Sequence, residues 1–262
     1  MAKIHETSFV SKECILGENV EIGPYCIIRG QVKIGKNTVL RNNVIIGSDY
    51  GVVEIGEGNI IYSGAVLGEV PQDKKYKNEK TKLIIGNNNQ IREYTTLNLG
   101  TVGGGGETRV GNGNLLMAYV HLGHDCIIGN NNVIANSCQL AGHVTIENNV
   151  TLGGMSAVNQ FAKLGSYSFI AGMAGVNKDI LPYSIAQGNY AVVRATNKIG
   201  LERSGFADDK ISEINKAIRI LSKDDNNIEE KIARIQKECQ PSQELDYLIQ
   251  FVRKSERGVA LQ

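Results

Sequence analysis

The chain has 262 residues, 42% hydrophobic and 21% charged, a balance that excludes disordered and fibrous classes. Its 28 basic and 27 acidic residues leave a formal net charge of +1, so no global field favours nucleic acid or a membrane surface. No apolar stretch approaches a membrane span, residues 1–10 lack the apolar core of a secretion signal, and the five cysteines show no clustered spacing. We therefore expect a soluble, cytoplasmic protein with no disulfide framework, no nucleic-acid partner and no stable membrane insertion.

From the N-terminus the chain repeats with a period of six. Every sixth residue from Ile4 is aliphatic: Val10, Leu16, Ile22, Ile28, Ile34, Leu40 and Ile46. The pattern resumes at Ile55, Ile61 and Leu67, and again at Ile85, Ile91 and Leu97. The last run holds twelve consecutive aliphatic positions, from Val110 to Val176. The position four after each is mostly small or apolar, as at Cys126, Cys138, Val144 and Ala162. Two inward positions separated by one outward residue is strand alternation. The remaining residues, rich in Gly and Asn, tolerate positive φ and can turn a corner. Three such sides make a triangular coil of 18 residues, and the register supplies between eight and nine coils. Stacked coils pair in parallel about 4.8 Å apart. The predicted fold is mainly β, a parallel β-helix over residues 1–190.

Cys14, Cys26, Cys126 and Cys138 fall at the small inward position and are expected to pack in the core. Asn-rich runs such as Asn87-Asn88-Asn89 and Asn130-Asn131-Asn132 read as corners. The period breaks at two insertions, about 69–82 (GEVPQDKKYKNEKTK in context) and about 100–108 (TVGGGGET in context). Loops that leave a solenoid project from a corner and often bind ligands.

Of four histidines, His121, His124 and His143 lie close together in sequence. The 18-residue coil places His124, Gly142 and Gln160 in one column, and Asp125, His143 and Phe161 in the next. An imidazole beside a carboxylate, with a backbone amide at the same corner, suits general-base catalysis with a stabilised oxyanion. The same residues also admit two blander readings, polar stacking along an exposed edge and a three-histidine zinc site. We expect no metal, because His-x-x-His spacing gathers ligands on a helix, whereas here the two histidines lie on different sides of a corner.

After residue 190 only Gly200, Gly205 and Gly258 remain of the glycines, and the pattern changes. Ile211, Ile214, Ile218 and Leu221 form a helical stripe, followed by Ile228, Ile232 and Ile235, then Leu245, Leu248 and Val252. Asp208 or Asp209 is placed to cap the first helix, and Pro241 separates the last two. Residues 191–262 are thus expected to form a helical domain.

Several motifs stand in order along the chain: Gly68-Glu69-Val70-Pro71-Gln72-Asp73-Lys74-Lys75-Tyr76, Ile91-Arg92-Glu93, Gly113-Asn114-Leu115-Leu116-Met117, His124-Asp125-Cys126, Leu140-Ala141-Gly142-His143-Val144, Ile185-Ala186-Gln187-Gly188-Asn189 and Arg203-Ser204-Gly205-Phe206. Over nearly its whole length the chain resembles the UDP-N-acetylglucosamine O-acyltransferases, left-handed β-helix enzymes of hexapeptide repeats that open lipid A biosynthesis. The resemblance implies a left-handed β-helix with a C-terminal helical domain, assembled as a homotrimer with sites between subunits. It implies transfer of an (R)-3-hydroxyacyl group from acyl carrier protein to the glucosamine 3-hydroxyl of UDP-N-acetylglucosamine. No cofactor is expected, since the donor brings its own phosphopantetheine.

By the same resemblance His124 matches the general base, Asp125 the residue that orients it, and Gly142 the oxyanion donor. Gln72, Asp73, Lys75, Asn98, His121, His143, Gln160, Asn197 and Arg203 match substrate-binding positions. Gly172 matches a position that limits acyl-chain length. The chain departs from the pattern at Asn98 and Asn159, where many members have His, at Ser204, where a second Arg is common, and at Tyr190, a frequent His. Alternative readings are acylation of a 3-amino UDP sugar to form an amide, another sugar acyltransferase of the same fold using acetyl-CoA, and a non-catalytic solenoid trimer. Lys178, Arg194, Lys198, Arg203 and Arg253 are the expected basic contacts for an acidic carrier protein.

Overall fold

The computed structural model describes residues 1–223 and 227–261. Its strands, mostly two residues long, stack into three sheets of eleven, nine and eight strands. The first sheet begins at Lys3–Ile4, the second at Phe9–Val10 and the third at Ile15–Leu16. Leu122 pairs with Leu140 and Leu140 with Val158, so each side sits over the residue 18 positions on. The expected β-helix of hexapeptide repeats with a helical tail is what forms, and the number of coils agrees.

The aliphatic positions line the interior. Ile28, Ile46, Leu67, Leu122, Leu140 and Leu164 are wholly buried. Each such side chain stabilises the fold by about 1.5–3 kcal/mol relative to exposure. Cys26, Cys126 and Cys138 are buried as expected, and burial pushes the Cys126 thiol up to about 12.

The corners hold a surprise. Most turns hold one residue at positive φ, and bulky side chains often supply it: Tyr119 (63°), His143 (62°), Met155 (58°) and Phe161 (68°). Such a conformation is costly for these residues and persists where the surroundings over-determine it. Here hydrogen bonds between coils do so, for example His143 N to His124 O at 2.9 Å.

The Asn-rich runs are corners only in part, because the last Asn of each points inward. Asn59, Asn89, Asn114 and Asn132 are buried at the small inward position. Asn89 Nδ2 donates to Asn59 Oδ1 and Asn114 Nδ2 to Asn89 Oδ1, each at 3.0 Å. Asn132 N donates to Asn114 Oδ1 at 2.9 Å, and Asn89 Nδ2 also reaches Gly111 O at 2.9 Å. The ladder satisfies corner carbonyls that a hydrophobic residue would leave unpaired.

At the far end the division expected at residue 190 falls on the turn of an antiparallel hairpin, Ser184–Gly188 with Ala191–Thr196, which continues the first sheet. Among the described residues four helices follow: α1 (Lys198–Arg203), α2 (Asp208–Lys223), α3 (Ile228–Glu238) and α4 (Gln243–Arg253). The three expected stripes lie on α2, α3 and α4 and build a second core with Leu181 and Leu201. The hairpin and α1 carry too short a periodicity to be read from the sequence. Asp208 and Asp209 lie inside the first turn of α2 rather than before it, and the Ala207 carbonyl accepts from Ile211 N at 3.0 Å. There their charges still favour the helix dipole. The tail is fastened to the solenoid by Tyr247, whose hydroxyl donates to the Glu147 carboxylate beside Ser166.

The ladder yields a prediction. Asn89→Ala removes the central rung and leaves buried polar groups without partners. Denaturant unfolding should show a loss of about 1–3 kcal/mol, and an unchanged midpoint would show that the ladder is not a stabilising feature.

Candidate active site

Both insertions run from the second sheet to the third: Val66–Glu69 to Thr81–Ile85, and Thr96–Asn98 to Glu107–Val110. The turn carrying His124 and Asp125 joins the same two sheets, between His121–Leu122 and Ile127–Ile128. Loops and dyad therefore share one edge. The two expected columns form there, since His143 N donates to His124 O and Phe161 N to Gly142 O.

His124 Nδ1 lies 2.6 Å from Asp125 Oδ2. The Asp125 carboxylate can only accept, so Nδ1 carries the proton and Nε2 keeps a free lone pair. This is the tautomer a general base needs. Asp125 was expected on the outward corner, but its side chain is 0% exposed. The loop after Asn98 folds over it. Thr101 N donates to Asp125 Oδ1 and Thr101 Oγ1 to Oδ2, both at 2.7 Å. Asp125 N donates to Thr108 Oγ1 at 2.8 Å.

His143 packs edge-on against His124 at 5.0 Å and stacks on Phe161 at 4.5 Å between ring centres. Burial holds its pKa below the ordinary histidine value, although Asp125 pulls the other way. His143 is therefore neutral at pH 7 and able to hydrogen-bond a substrate without adding charge. Gly142 lies directly under His124. A Cβ there would fall 2.6 Å from His124 Cε1 and 2.7 Å from Nε2. Only glycine lets the imidazole rest against this backbone, and the contact brings the Gly142 peptide beside Nε2.

A cavity of about 300 Å³ opens beside the dyad, lined by Asp73, Lys75, Tyr76, Thr101, His143 and Phe161 among others. Gln72 is exposed on the same loop, and Gln160 is exposed on the same corner as His124. His121 sits three residues back on the second sheet, with Nδ1 2.7 Å from Thr96 Oγ1. Burial lowers its pKa too, so it stays neutral at pH 7.

Other expected site residues are engaged in the scaffold or lie on other edges. Asn98 is buried, and its Nδ2 donates to Val70 O at 2.9 Å, which anchors the root of the first loop. Asn197 caps α1, accepting from Gly200 N at 3.2 Å and donating to Tyr167 O at 2.9 Å. It belongs to the edge between the third and first sheets. There Arg203, with Lys198, Tyr167 and Phe169, lines a second cavity of about 900 Å³. Gly172 is exposed on the remaining edge, between the first and second sheets. One chain thus spreads its candidate residues over three edges. Of the basic residues expected to meet a carrier protein, Arg253 is already paired with Glu229 at 3.0 Å.

Atoms of His124, Asp125 and His143 lie within 4.8 Å of one another, close enough for a metal centre. The 2.6 Å separation of Nδ1 and Oδ2 is instead that of a charge-assisted hydrogen bond. Thr101 engages both carboxylate oxygens as well, so the donor set reads as a dyad.

Comparison with known proteins now adds to this geometry. Residues 179–260 match the family described as UDP-N-acetylglucosamine O-acyltransferase, domain 2, and residues 13–48 and 107–142 match bacterial transferase hexapeptide repeats. The chain is 46% identical to an acyl-[acyl-carrier-protein]--UDP-N-acetylglucosamine O-acyltransferase of Myxococcus xanthus, covering 99% of each. It is 44% identical to the enzyme of the same name from Aliarcobacter butzleri, over 99% of this chain and 98% of that one. Among solved structures, LpxA from Acinetobacter baumannii superposes with a TM-score of 0.94 at 40% identity, covering 99% of both chains.

The chain belongs to the UDP-N-acetylglucosamine O-acyltransferase family.

Within this family fold, Thr101, Gly104 and Thr108 are site residues that the sequence alone did not single out. The signal was present as an insertion at the edge of the dyad, but nothing in the pattern said which residue of TVGGGGET turns inward. Gly142 supplies the test of this geometry. Gly142→Ala leaves an ordinary backbone but displaces an imidazole pinned to Asp125. Since a displacement of about 1 Å can cost about 10²-fold, kcat should fall on that order while thermal stability changes little. A near-normal kcat would mean that the ring does not need this contact.

Proposed function

We propose that this acyltransferase moves an (R)-3-hydroxyacyl group from acyl carrier protein to the 3-hydroxyl of UDP-N-acetylglucosamine, with His124 as general base. The observation that carries the proposal is the His124–Asp125 dyad, with Nε2 free beside Gly142. A sugar hydroxyl is a weak nucleophile at neutral pH, so attack on a thioester needs a base at the oxygen. His124 Nε2 takes the hydroxyl proton as the oxygen bonds to the thioester carbon. The Asp125 carboxylate stabilises the imidazolium that results. Gly142 N–H donates to the oxyanion. Collapse expels the phosphopantetheine thiolate, which recovers its proton from His124. The chemistry asks for no cofactor of the protein's own.

Asp73, Lys75 and Gln72 on the first loop, with His143 and Gln160 at the corner, hold the acceptor sugar. His121 and Asn98 form the floor on the second sheet. Asn197 and Arg203 bind the nucleotide end. These residues meet only if edges of different chains adjoin, which favours a homotrimer with shared sites. Gly172 bounds the acyl channel, since its missing side chain leaves room along that edge. Lys178, Arg194, Lys198 and Arg203 form a basic surface for the acidic carrier protein. A nucleotide-sugar acceptor and a carrier-protein donor point to reaction in the cytoplasm, and among the described residues no helix is long and apolar enough to cross a membrane. The departures at Asn98 and Asn159 leave a second reading, in which the acceptor is the 3-amino sugar and the product an amide. Mass spectrometry of products from both UDP sugars separates the two readings.

The base assignment has its own test. His124→Ala should lower kcat by about 10² to 10⁴, the usual worth of a general base, while His121→Ala costs clearly less. Turnover of purified oligomers decides it. A near-normal His124→Ala enzyme beside an inactive His121→Ala enzyme would transfer the role to His121.

A further inference from the structure

We propose that Thr101 is a positioning residue for the reaction: it fixes the charge and direction of the Asp125 carboxylate, and through it the basicity of His124. The proposal rests on the reading of His124 as base. Asp125 has no water-facing surface, so its charge must be satisfied by protein donors. Thr101 supplies two, its N–H to Oδ1 and its Oγ1–H to Oδ2, each at 2.7 Å. This holds the carboxylate in one plane, with Oδ2 aimed at His124 Nδ1.

The turn that presents Thr101 is built against the carboxylate. Val102–Gly104 forms a short 3-10 turn, and Thr101 Oγ1 caps it by accepting from Gly104 N at 3.1 Å. Gly105, at φ 100°, closes it. Gly104 rests on the acid itself, because a Cβ there would fall 2.0 Å from Asp125 Cγ. Of the glycine run, Gly104 is required by this contact, because its backbone comes closer to a charged side chain than any Cβ allows, whereas Gly105 and Gly106 serve the turn through their positive φ.

Asp125 faces His124 from the same turn and His143 from the next coil at 5.0 Å, while Asp73, Lys75, Tyr76 and Glu79 of the first loop line the cavity beside them; of these, Asp125 is the group hydrogen-bonded to the imidazole. The donors on Asp125 therefore weigh heavily on the imidazole. With Thr101 in place, part of the carboxylate's charge is satisfied by neutral donors. Without it, the carboxylate attracts the imidazolium more strongly, and protonated His124 persists to higher pH.

The test compares Thr101→Val, Thr101→Ser and Gly104→Ala oligomers. The His124 titration is followed directly by NMR of histidine-labelled protein, and the pH profile of kcat/KM is followed beside it. Thr101→Val should move the His124 titration to higher pH and lower kcat about 10- to 100-fold, the worth of a hydrogen bond to a charged group. Sugar KM should stay near normal. Thr101→Ser should restore both. Gly104→Ala, which lifts the turn that carries Thr101 off the acid while keeping the threonine itself, should raise the pKa as well. An unmoved His124 titration in Thr101→Val or Gly104→Ala overturns the proposal, as does a Ser variant no better than Val. A titration that moves while the activity profile does not would leave Thr101 in its role and refute His124 as base.

Discussion

Everything functional in this chain depends on the 18-residue register of its coils. Parallel pairing places each turn over the equivalent turn of the next coil, held by backbone hydrogen bonds such as His143 N to His124 O. A residue's neighbours are then set by its number, and chemistry can be built by stacking. His124 over Gly142, and Asp125 over His143 and Phe161, are products of that register. The aliphatic core serves it too, because a slip of one residue would turn every Ile and Leu outward.

A bare solenoid edge exposes its turns to water, where a carboxylate and an imidazole make a weak pair. The two insertions change this. Both spring from the edge that carries the dyad, one folding over Asp125 and the other walling the cavity beside His143. Burial gives the Asp125 hydrogen bonds their strength, and it keeps His121 and His143 neutral. Interruptions of the repeat are thus the places where repeat geometry becomes an active site. Neutral histidines are able to bind without adding charge, and in the proposed mechanism His124 is the group that cycles its proton.

Much of this could be read in the sequence because the repeat converts spacing into position. The coil count, the inward cysteines, the two columns at the dyad and the three long helical stripes all follow from periods of six or 3.6 residues. What could not be read lacks a period. The inward turn of Thr101, the contact of Gly104 with Asp125 and the short helix α1 depend on how an aperiodic loop settles. The burial of Asp125 was missed for the same reason. The asparagine ladder was legible in principle, since Asn89, Asn114 and Asn132 occupy the inward register. Asparagine's general preference for corners obscured it.

The distribution of candidate residues over three edges is the feature with the widest consequence. His124 and Asp73 lie on one edge, Arg203 on the next and Gly172 on the third, so on the proposed reading no single chain holds a complete site. A closed trimer would bring unlike edges together, and each site would then draw its base from one subunit and its nucleotide contacts from another. Mixed oligomers test this most directly. Chains carrying His124→Ala and chains carrying Arg203→Ala, each nearly inactive alone, are to be unfolded, mixed and refolded together, and their turnover measured. Shared sites predict that activity reappears, because some interfaces pair an intact His124 with an intact Arg203. Mixed oligomers no more active than the separate variants would contradict the account and place the whole site within one chain.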